Sequence, residues 1–512
     1  MIPRRTLLQA AAATSLLTPL TARADESGTL TVALSNNPVT CDPINLSNHD
    51  MQLLSQTIWE NLVEYDINGI LKPQLAKALP QVSADKLIYT FDLRDDVVFQ
   101  NGQKLTSEDV KYSFEYMLDP AHKAARAPIF NRLSHIETDG PYRCHVVLKE
   151  PYAPWVYFLT KFMGIWPKGS REQFGDSYFR LTPKELGTGV GIFEEWIPND
   201  SISFRRNPNY WQKGLPHWDR LVVKFVPEDA TRVAYLLTGQ ADIIAAPPAQ
   251  DFARLKTRKG IQGEARPTLG GWTVMLTNNA RPPFDDIEFR RALAHTIDRK
   301  TLAEKIYFGM VEPSAIPAPA AGWWFDQTAS DMRAYDPDKA RAHLAKSKYA
   351  NGAQFELLIS SDPYLLDCKD AAVYIQSELA KFNITATIRM TQSSVVSAAT
   401  NSGDYQANLT NSMSAGEPTY FIANNFIAGG FMSRTSGNID DPVVRRLMAR
   451  IHLGGDQEEL KPVYAELLRH LADQAYYCWL GYFAAANLWR DRVKNFRPSL
   501  GVAINVHDVS LA

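Results

Sequence analysis

The sequence predicts an α/β protein of two or three domains, and three observations carry that prediction. At 512 residues the chain is longer than one ordinary hydrophobic core accommodates. Between Gly187 and Asp242 the apolar residues alternate with period two, recur at helical spacing, then return to a strand. That is a hairpin followed by a β-α-β unit. From Asp336 to Ile388 strand and helix patterns alternate again, as in a second α/β lobe. The composition, 45% hydrophobic and 21% charged, is that of a folded globular chain.

The N-terminus reads as a targeting segment, residues 1–24, set apart from the fold. Arg4-Arg5 precede an apolar run from Leu7 to Leu20, and Ala22-Arg23-Ala24 supplies an A-x-A cleavage site. The arginine pair resembles a twin-arginine export signal, with an ordinary secretory signal as the alternative. The run is too short to span a bilayer as an anchor. Cleavage after Ala24 yields an exported, soluble periplasmic protein and takes the net charge from −2 to about −5. The chain carries no basic stripe for nucleic acid and no polybasic membrane patch. Cys41, Cys144, Cys368 and Cys478 stand far apart with no C-x-x-C. They are four buried thiols or include one disulfide, and spacing does not choose a pairing.

Each element has its own signal. Leu30, Val32 and Leu34 alternate into a strand ending at Asn36-Asn37-Pro38, and Leu53, Leu54, Ile58 and Leu62 stripe the next helix. Tyr89, Phe91 and Leu93 alternate, and Asn101-Gly102 makes a turn. Thr106 with Asp109 then opens a capped helix carrying Val110, Phe114 and Met117. Aromatic-rich segments flank a strand at His145–Leu148, and rings at that density are usually core. Gly187, Gly189 and Gly191 offer backbone freedom at a tight entry. Ile202 and Phe204 follow the turn Pro198-Asn199-Asp200, and Leu221, Val223 and Phe225 follow the turn Asn207-Pro208-Asn209. Asp229 is placed to cap a helix that Gly239 ends, with Asp242-Ile243-Ile244 opening the next strand. Phe289, Leu293 and Ile297 share a helix face, and Asp298, Asp336 and Asp456 stand at further helix starts.

Several of these stretches resemble the solute-binding proteins of the peptide/nickel/opine class that serve ABC importers. The resemblance rests on Gly187-Thr188-Gly189, Trp196, Asn207-Pro208-Asn209-Tyr210-Trp211 and Thr238-Gly239-Gln240-Ala241-Asp242. It also rests on the run from Leu93 to Val110 and on Phe289 to Arg299, and it spans nearly all of the mature chain. At Val190-Gly191 the chain carries two residues where that class usually has one. The resemblance implies a two-lobed periplasmic binding protein fold, type II, cluster C, with an extra subdomain inserted in the first lobe. Residues 25–50, 185–268 and 482–512 would form lobe I, 51–184 the inserted subdomain, and 269–481 lobe II. The chain would cross between lobes near 266–272 and again over 476–488, with ligand in the cleft.

The resemblance also proposes the site. Asn36 and His49 lie near the mouth of the cleft, and Phe130, Asn131 and Phe162 are wall candidates. Trp272 lies near the hinge. Trp323 and Trp324 either contact ligand or seal a domain edge. Peptide-binding relatives commonly carry a Trp and an Asp in the stretch matching Tyr405–Tyr420, the Asp pairing with the peptide's ammonium. Here Asn408, Asn411, Ser412 and Met413 stand instead, with Glu417 the nearby carboxylate; Glu417 either replaces the anchor or caps the next helix. Amides and hydroxyls suit opines or sugar conjugates, placed ahead of short peptides and of a nickel chelate. Arg434 is a candidate for a ligand carboxylate or phosphate. The expected partners are a small-molecule ligand and an inner-membrane permease, with the protein a monomer.

An enzyme is the remote alternative, in the form of a secreted hydrolase. The ten histidines show no H-E-x-x-H, and there is no G-x-S-x-G elbow or Walker loop. The third glycine of G-T-G-V-G is misplaced for a dinucleotide loop. No catalytic residue, metal site or cofactor is predicted. A receptor that signals without feeding a permease is a third class.

Overall fold

The computed structural model describes residues 28–45, 50–361, 368–413, 418–499 and 504–512. Among them, a mixed sheet of 11 strands runs through the whole molecule. Two long antiparallel strands form its middle, Ile261–Thr277 and Cys478–Arg490, and both cross from one half of the protein to the other. On one side the sheet continues through Ile243–Ala245, Thr29–Leu34, Arg220–Phe225, Ser201–Arg206 and Gly191–Ile197. On the other it continues through Ala407–Met413, Ala353–Ser360 and Ile384–Thr391, while Val311–Pro313 pairs on Cys478–Arg490.

The mid-chain unit folds as its periodicity predicts. Gly191–Ile197 and Ser201–Arg206 pair as a hairpin, and Arg220–Phe225 adds antiparallel to it. Arg220–Phe225 then runs parallel to Thr29–Leu34, which in turn pairs with Ile243–Ala245. Two local readings are corrected. Glu228, not Asp229, is the N-cap of the helix Asp229–Thr238, its carboxylate accepting from the Ala230 and Thr231 amides. Asp229 sits inside the first turn and pairs instead with Arg232 at 2.6 Å. The glycines at 187, 189 and 191 are not at positive φ. They are glycines because the chain lies against the end of the helix Asp50–Ile58. A Cβ at Gly187 would stand 1.8 Å from the Ile58 carbonyl oxygen, and one at Gly189 would stand 2.4 Å from that of Thr57.

Residues from the inserted stretch form a second sheet in the order Gln81–Val82, Ile88–Asp92, Arg143–Leu148, Leu133–Thr138. Its apolar face merges with that of lobe I, so Leu30, Val32 and Val223 share one core with Phe91, Phe114 and Trp155. The opposite face of the lobe I strands packs on Val233, Leu236 and Phe252. In lobe II the helices Ile287–Thr296 and Lys369–Ala380 cover one face of the sheet. Pro418–Phe426, Pro442–His452 and Gln457–Gln474 cover the other. Cys41, Cys144, Cys368 and Cys478 are all buried, and no disulfide joins them.

The motif residues turn out to hold these pieces together. Asn207 donates to the Gly189 carbonyl at 2.9 Å, while Tyr210 and Trp211 donate to the buried Glu60 at 2.8 and 3.0 Å. Asp242 accepts from the Thr31 amide and from Arg492. Arg290 and Arg333 reach the last carbonyls of the helix Gln457–Gln474. Arg299 binds the Trp479 carbonyl of the crossing strand at 2.6 Å.

Candidate ligand-binding cleft

Strand direction decides where a cleft must lie. Cys478–Arg490 runs from lobe II into lobe I, and Ile243–Ala245 is antiparallel to it, with Ile243 opposite Trp489 and Ala245 opposite Asn487. The lobe I parallel strands therefore end facing lobe II. Ile261–Thr277 runs the other way, and Ala407–Met413 is antiparallel to it, Ala407 opposite Thr277 and Met413 opposite Gly271. Ala353–Ser360 and Ile384–Thr391 are parallel to that strand or to its partner, so the lobe II strands end facing lobe I. Carboxyl ends of parallel strands meet across the crossing pair, the place where open α/β sheets bind ligands.

The crossing pair is broken at that same level. Pro267 pairs with Ala484, yet Trp272 pairs with Tyr482, so the intervening residues bulge out of register. Thr268 stabilises the bulge: its hydroxyl accepts from the Gly271 amide at 2.8 Å and donates to the Phe483 carbonyl at 2.9 Å. A Cβ at Gly271 would stand 2.4 Å from the Phe483 ring. A bulge with few ladder bonds, set between two continuous stretches of pairing, is a natural bending point. On the lobe I side, buried Arg232 ties the strand ends together by donating to the carbonyls of Val226, Ala245 and Ala246 at 2.8, 3.0 and 2.7 Å.

The structure gathers some of the expected site residues and disperses others. Trp272 is half-buried beyond the bulge, with Ser412 and Asn411 on the neighbouring strand opposite Trp272 and Thr273. The Trp272 ring meets Phe421 at 5.2 Å and Trp479 at 6.0 Å, both edge-to-face. Asn36 is half-buried just past the end of Thr29–Leu34, at the lobe I rim. Trp324 is buried in the lobe II core, and half-buried Trp323 packs edge-on to Tyr464 at 5.1 Å, so this pair serves packing. Phe130 is wholly buried against Phe114 and Phe158 in the inserted subdomain and offers no surface to a ligand. Asn131 is exposed, its carbonyl taken by Lys149. Arg434 is exposed on the short helix Phe431–Thr435, its guanidinium 5.9 Å from the Phe431 ring. His49, Glu417 and residues 1–24, where the sequence predicts a leader, lie outside the described residues, as do the side chains of Phe162 and Met413.

A direct contact between the inserted subdomain and lobe II has no signal in the sequence. The Ala153 amide donates to the His452 carbonyl at 2.9 Å, and the Tyr152 ring stands edge-on to the His452 ring at 4.7 Å. Phe158 meets Tyr420 of lobe II in the same way at 5.8 Å. Burial, with Arg132 nearby, pushes the His452 imidazole down to about 4, so the ring is neutral in this contact.

The model of the bacterial extracellular solute-binding proteins, family 5 (middle) matches residues 71–433. The chain belongs to this family. It is a solute-binding protein of the kind that serves ABC importers. It is 29% identical over 362 residues to the heme-binding protein A of Haemophilus influenzae, covering 64% of each chain. Over 360 residues it is 27% identical to the glutathione-binding protein GsiB of Escherichia coli O6:K15:H31, covering 70% of this chain and 68% of that one. Among solved structures it is similar to the PBP AgaA of A. tumefaciens R10, in complex with agropinic acid. There the TM-score is 0.78 at 25% identity, covering 95% of this chain and 99% of that one. These relatives are binding proteins rather than enzymes. Among the described residues no helix is long and apolar enough to cross a membrane, and no group of His, Cys, Asp and Glu could hold a metal ion.

Proposed function

We propose that this member of the family captures a small polar solute of the opine or sugar-conjugate class between its lobes and hands it to a permease. It does so in the periplasm, as a monomer freed of its leader at Ala24, and it leaves the solute chemically unchanged. One observation carries this reading: the carboxyl strand ends of both lobes face each other across crossing strands that break register at Thr268–Gly271. A solute gripping both rims favours the closed form because only the closed form offers both sets of contacts. Asn411 and Ser412 give the lobe II rim an amide and a hydroxyl in place of a carboxylate, while Asn408 is buried farther back along the strand and donates to the Thr400 hydroxyl at 3.0 Å. The relative solved with agropinic acid supports an opine. Exposed Arg434 is assigned to a solute carboxylate.

The test is a thermal-shift panel of agropinic acid, glutathione, dipeptides, heme and nickel-histidine against the mature chain. At about 100 times its dissociation constant a ligand adds roughly 2.7 kcal/mol of stability, a shift of a few degrees. A shift with agropinic acid and none with dipeptides is expected; the reverse would overturn the opine assignment. Arg434→Ala is expected to abolish binding of an anionic opine while the apo melting temperature holds, and unchanged affinity would remove Arg434 from the site. Closure is expected to change Trp272 fluorescence, and a Trp272→Phe variant that keeps the whole signal would place the reporter elsewhere.

A further inference from the structure

The strand Val311–Pro313 lies at the boundary between the lobes. Its neighbour Met310 packs into the lobe I core beside Ala33 and Val226, and the Met310 carbonyl accepts from the Ala484 amide of the crossing strand at 2.7 Å. Two residues on, Glu312 stands opposite Tyr482, Tyr482 opposite Trp272, and Trp272 opposite Ser412. Residues directly opposite on adjacent strands put their side chains on the same face. A carboxylate, a phenol, an indole and a hydroxyl therefore form one row across the sheet, just beyond the bulge.

Glu312 differs from the other buried carboxylates of this protein. Asp42 is held by Arg171, Asp242 by Arg492, and Glu60 by Tyr210 and Trp211. The half-buried Glu312 side chain has one carboxylate oxygen sealed from solvent that, among the described residues, has no hydrogen-bond partner and no cation paired to it. Burial, with nothing to oppose it, moves its titration upward. A carboxylate withdrawn from water without a partner is costly. The strand cannot readily swing it out, because a Cβ at Gly481 would stand 2.3 Å from the Glu312 carbonyl oxygen, so the two backbones are in close contact.

We propose that Glu312 seats the positively charged nitrogen of the solute, a protonated amine held between its carboxylate and the faces of Tyr482 and Trp272. Aromatic faces favour a cation, and the amine supplies the donor that the sealed oxygen lacks. This narrows the substrate class within the reading above and rests on it: among opine-like amino-acid conjugates, those whose nitrogen is still basic bind more tightly than their lactams. The ammonium anchor that peptide-binding relatives carry in the stretch matching 405–420 is thereby supplied here by a carboxylate from a different strand.

The probes are two matched pairs measured by calorimetry. One pair is N-(1-deoxymannityl)glutamate, whose secondary amine is protonated, and agropinic acid, its lactam, where that nitrogen is an uncharged amide. The other is glutathione and N-acetylglutathione. Wild type is expected to prefer the amine by about tenfold or more within a pair. Glu312→Gln, which keeps the shape, is expected to bring the two members within about twofold of each other. Glu312→Asp, which keeps the charge, is expected to retain part of the preference and stands in should the glutamine variant fail to fold. Equal affinity for both members in wild type, or a preference that survives in Glu312→Gln, overturns the seat alone. Failure of every probe to bind overturns the solute class proposed above and the seat with it.

Discussion

Glu60 puts an acidic side chain wholly inside lobe I, where Tyr210, Trp211 and Gln74 donate to it. Burial outweighs those donors and raises its titration to about 8. Since an unfolded glutamate titrates near 4.3, the folded state holds an extra proton between those two values. The stability this confers is fully present below the unfolded value and is lost as pH rises through the folded one. Glu60→Gln is expected to flatten that slope and to melt above wild type at pH 8.5 by on the order of 2–4 kcal/mol. Parallel slopes for the two proteins in chemical melts from pH 5 to 9 would overturn this. Asp42 is buried together with a countercharge. Its carboxylate is buried and bonded at 2.7 Å to Arg171, whose guanidinium also lies 3.7 Å from the Phe179 ring. Asp42→Ala leaves buried Arg171 only its 3.2 Å pairing with exposed Asp176 and is expected to lose roughly 3 kcal/mol in a denaturant melt. Neither role was legible in sequence, because Glu60 carries no local signal and its ring donors Tyr210 and Trp211 lie 150 and 151 residues downstream. The N-P-N-Y-W motif was legible; that Tyr210 and Trp211 exist to solvate Glu60 was not.

Among the elements, local chemistry was the most readable. Thr106 with Asp109 forms the capping box its spacing predicts. Asp298, Asp336 and Asp456 cap their helices because a short carboxylate reaches amides two or three residues ahead. Asp229 lost that role to Glu228, one residue earlier, where the chain enters from an extended conformation and Arg232 draws Asp229 away. The glycines at 187–191 were placed correctly in an entry, with a different physical cause: a neighbouring helix end leaves no room for a side chain. Gly187→Ala is therefore expected to destabilise by about 1–3 kcal/mol or more through overpacking. Gly187 is not at positive φ, so without the Ile58 contact that substitution would be neutral or stabilising, and the sign of the change in melting temperature tests the close approach.

At the scale of the whole molecule the described residues join the lobes through the bulged crossing strands and through the contact of Tyr152, Ala153 and Phe158 with His452 and Tyr420. An edge-to-face ring pair contributes about 0.5–1.5 kcal/mol. His452→Ala keeps the backbone hydrogen bond and removes the ring, so it is expected to shift the molecule toward the open form and weaken solute binding about 2- to 10-fold. X-ray scattering should show a larger unliganded radius of gyration with little change in melting temperature; an unchanged radius and affinity would assign the ring contact to packing alone. By itself the sequence determined the α/β class, the order of strands and helices, the cap residues other than Glu228 and the family, since each follows from periodicity, turn chemistry or motifs within a few tens of residues. It also placed Trp272, Asn411 and Ser412 near one another, through the resemblance. Tertiary structure alone decided that Phe130 and Trp324 are core, that His452 meets Tyr152, and that Glu312 stands in line with Tyr482 and Trp272 with one oxygen unpartnered among the described residues. Those facts depend on strand register and on which distant surfaces meet, and such contacts are settled by the packing of the whole chain rather than by any stretch of it.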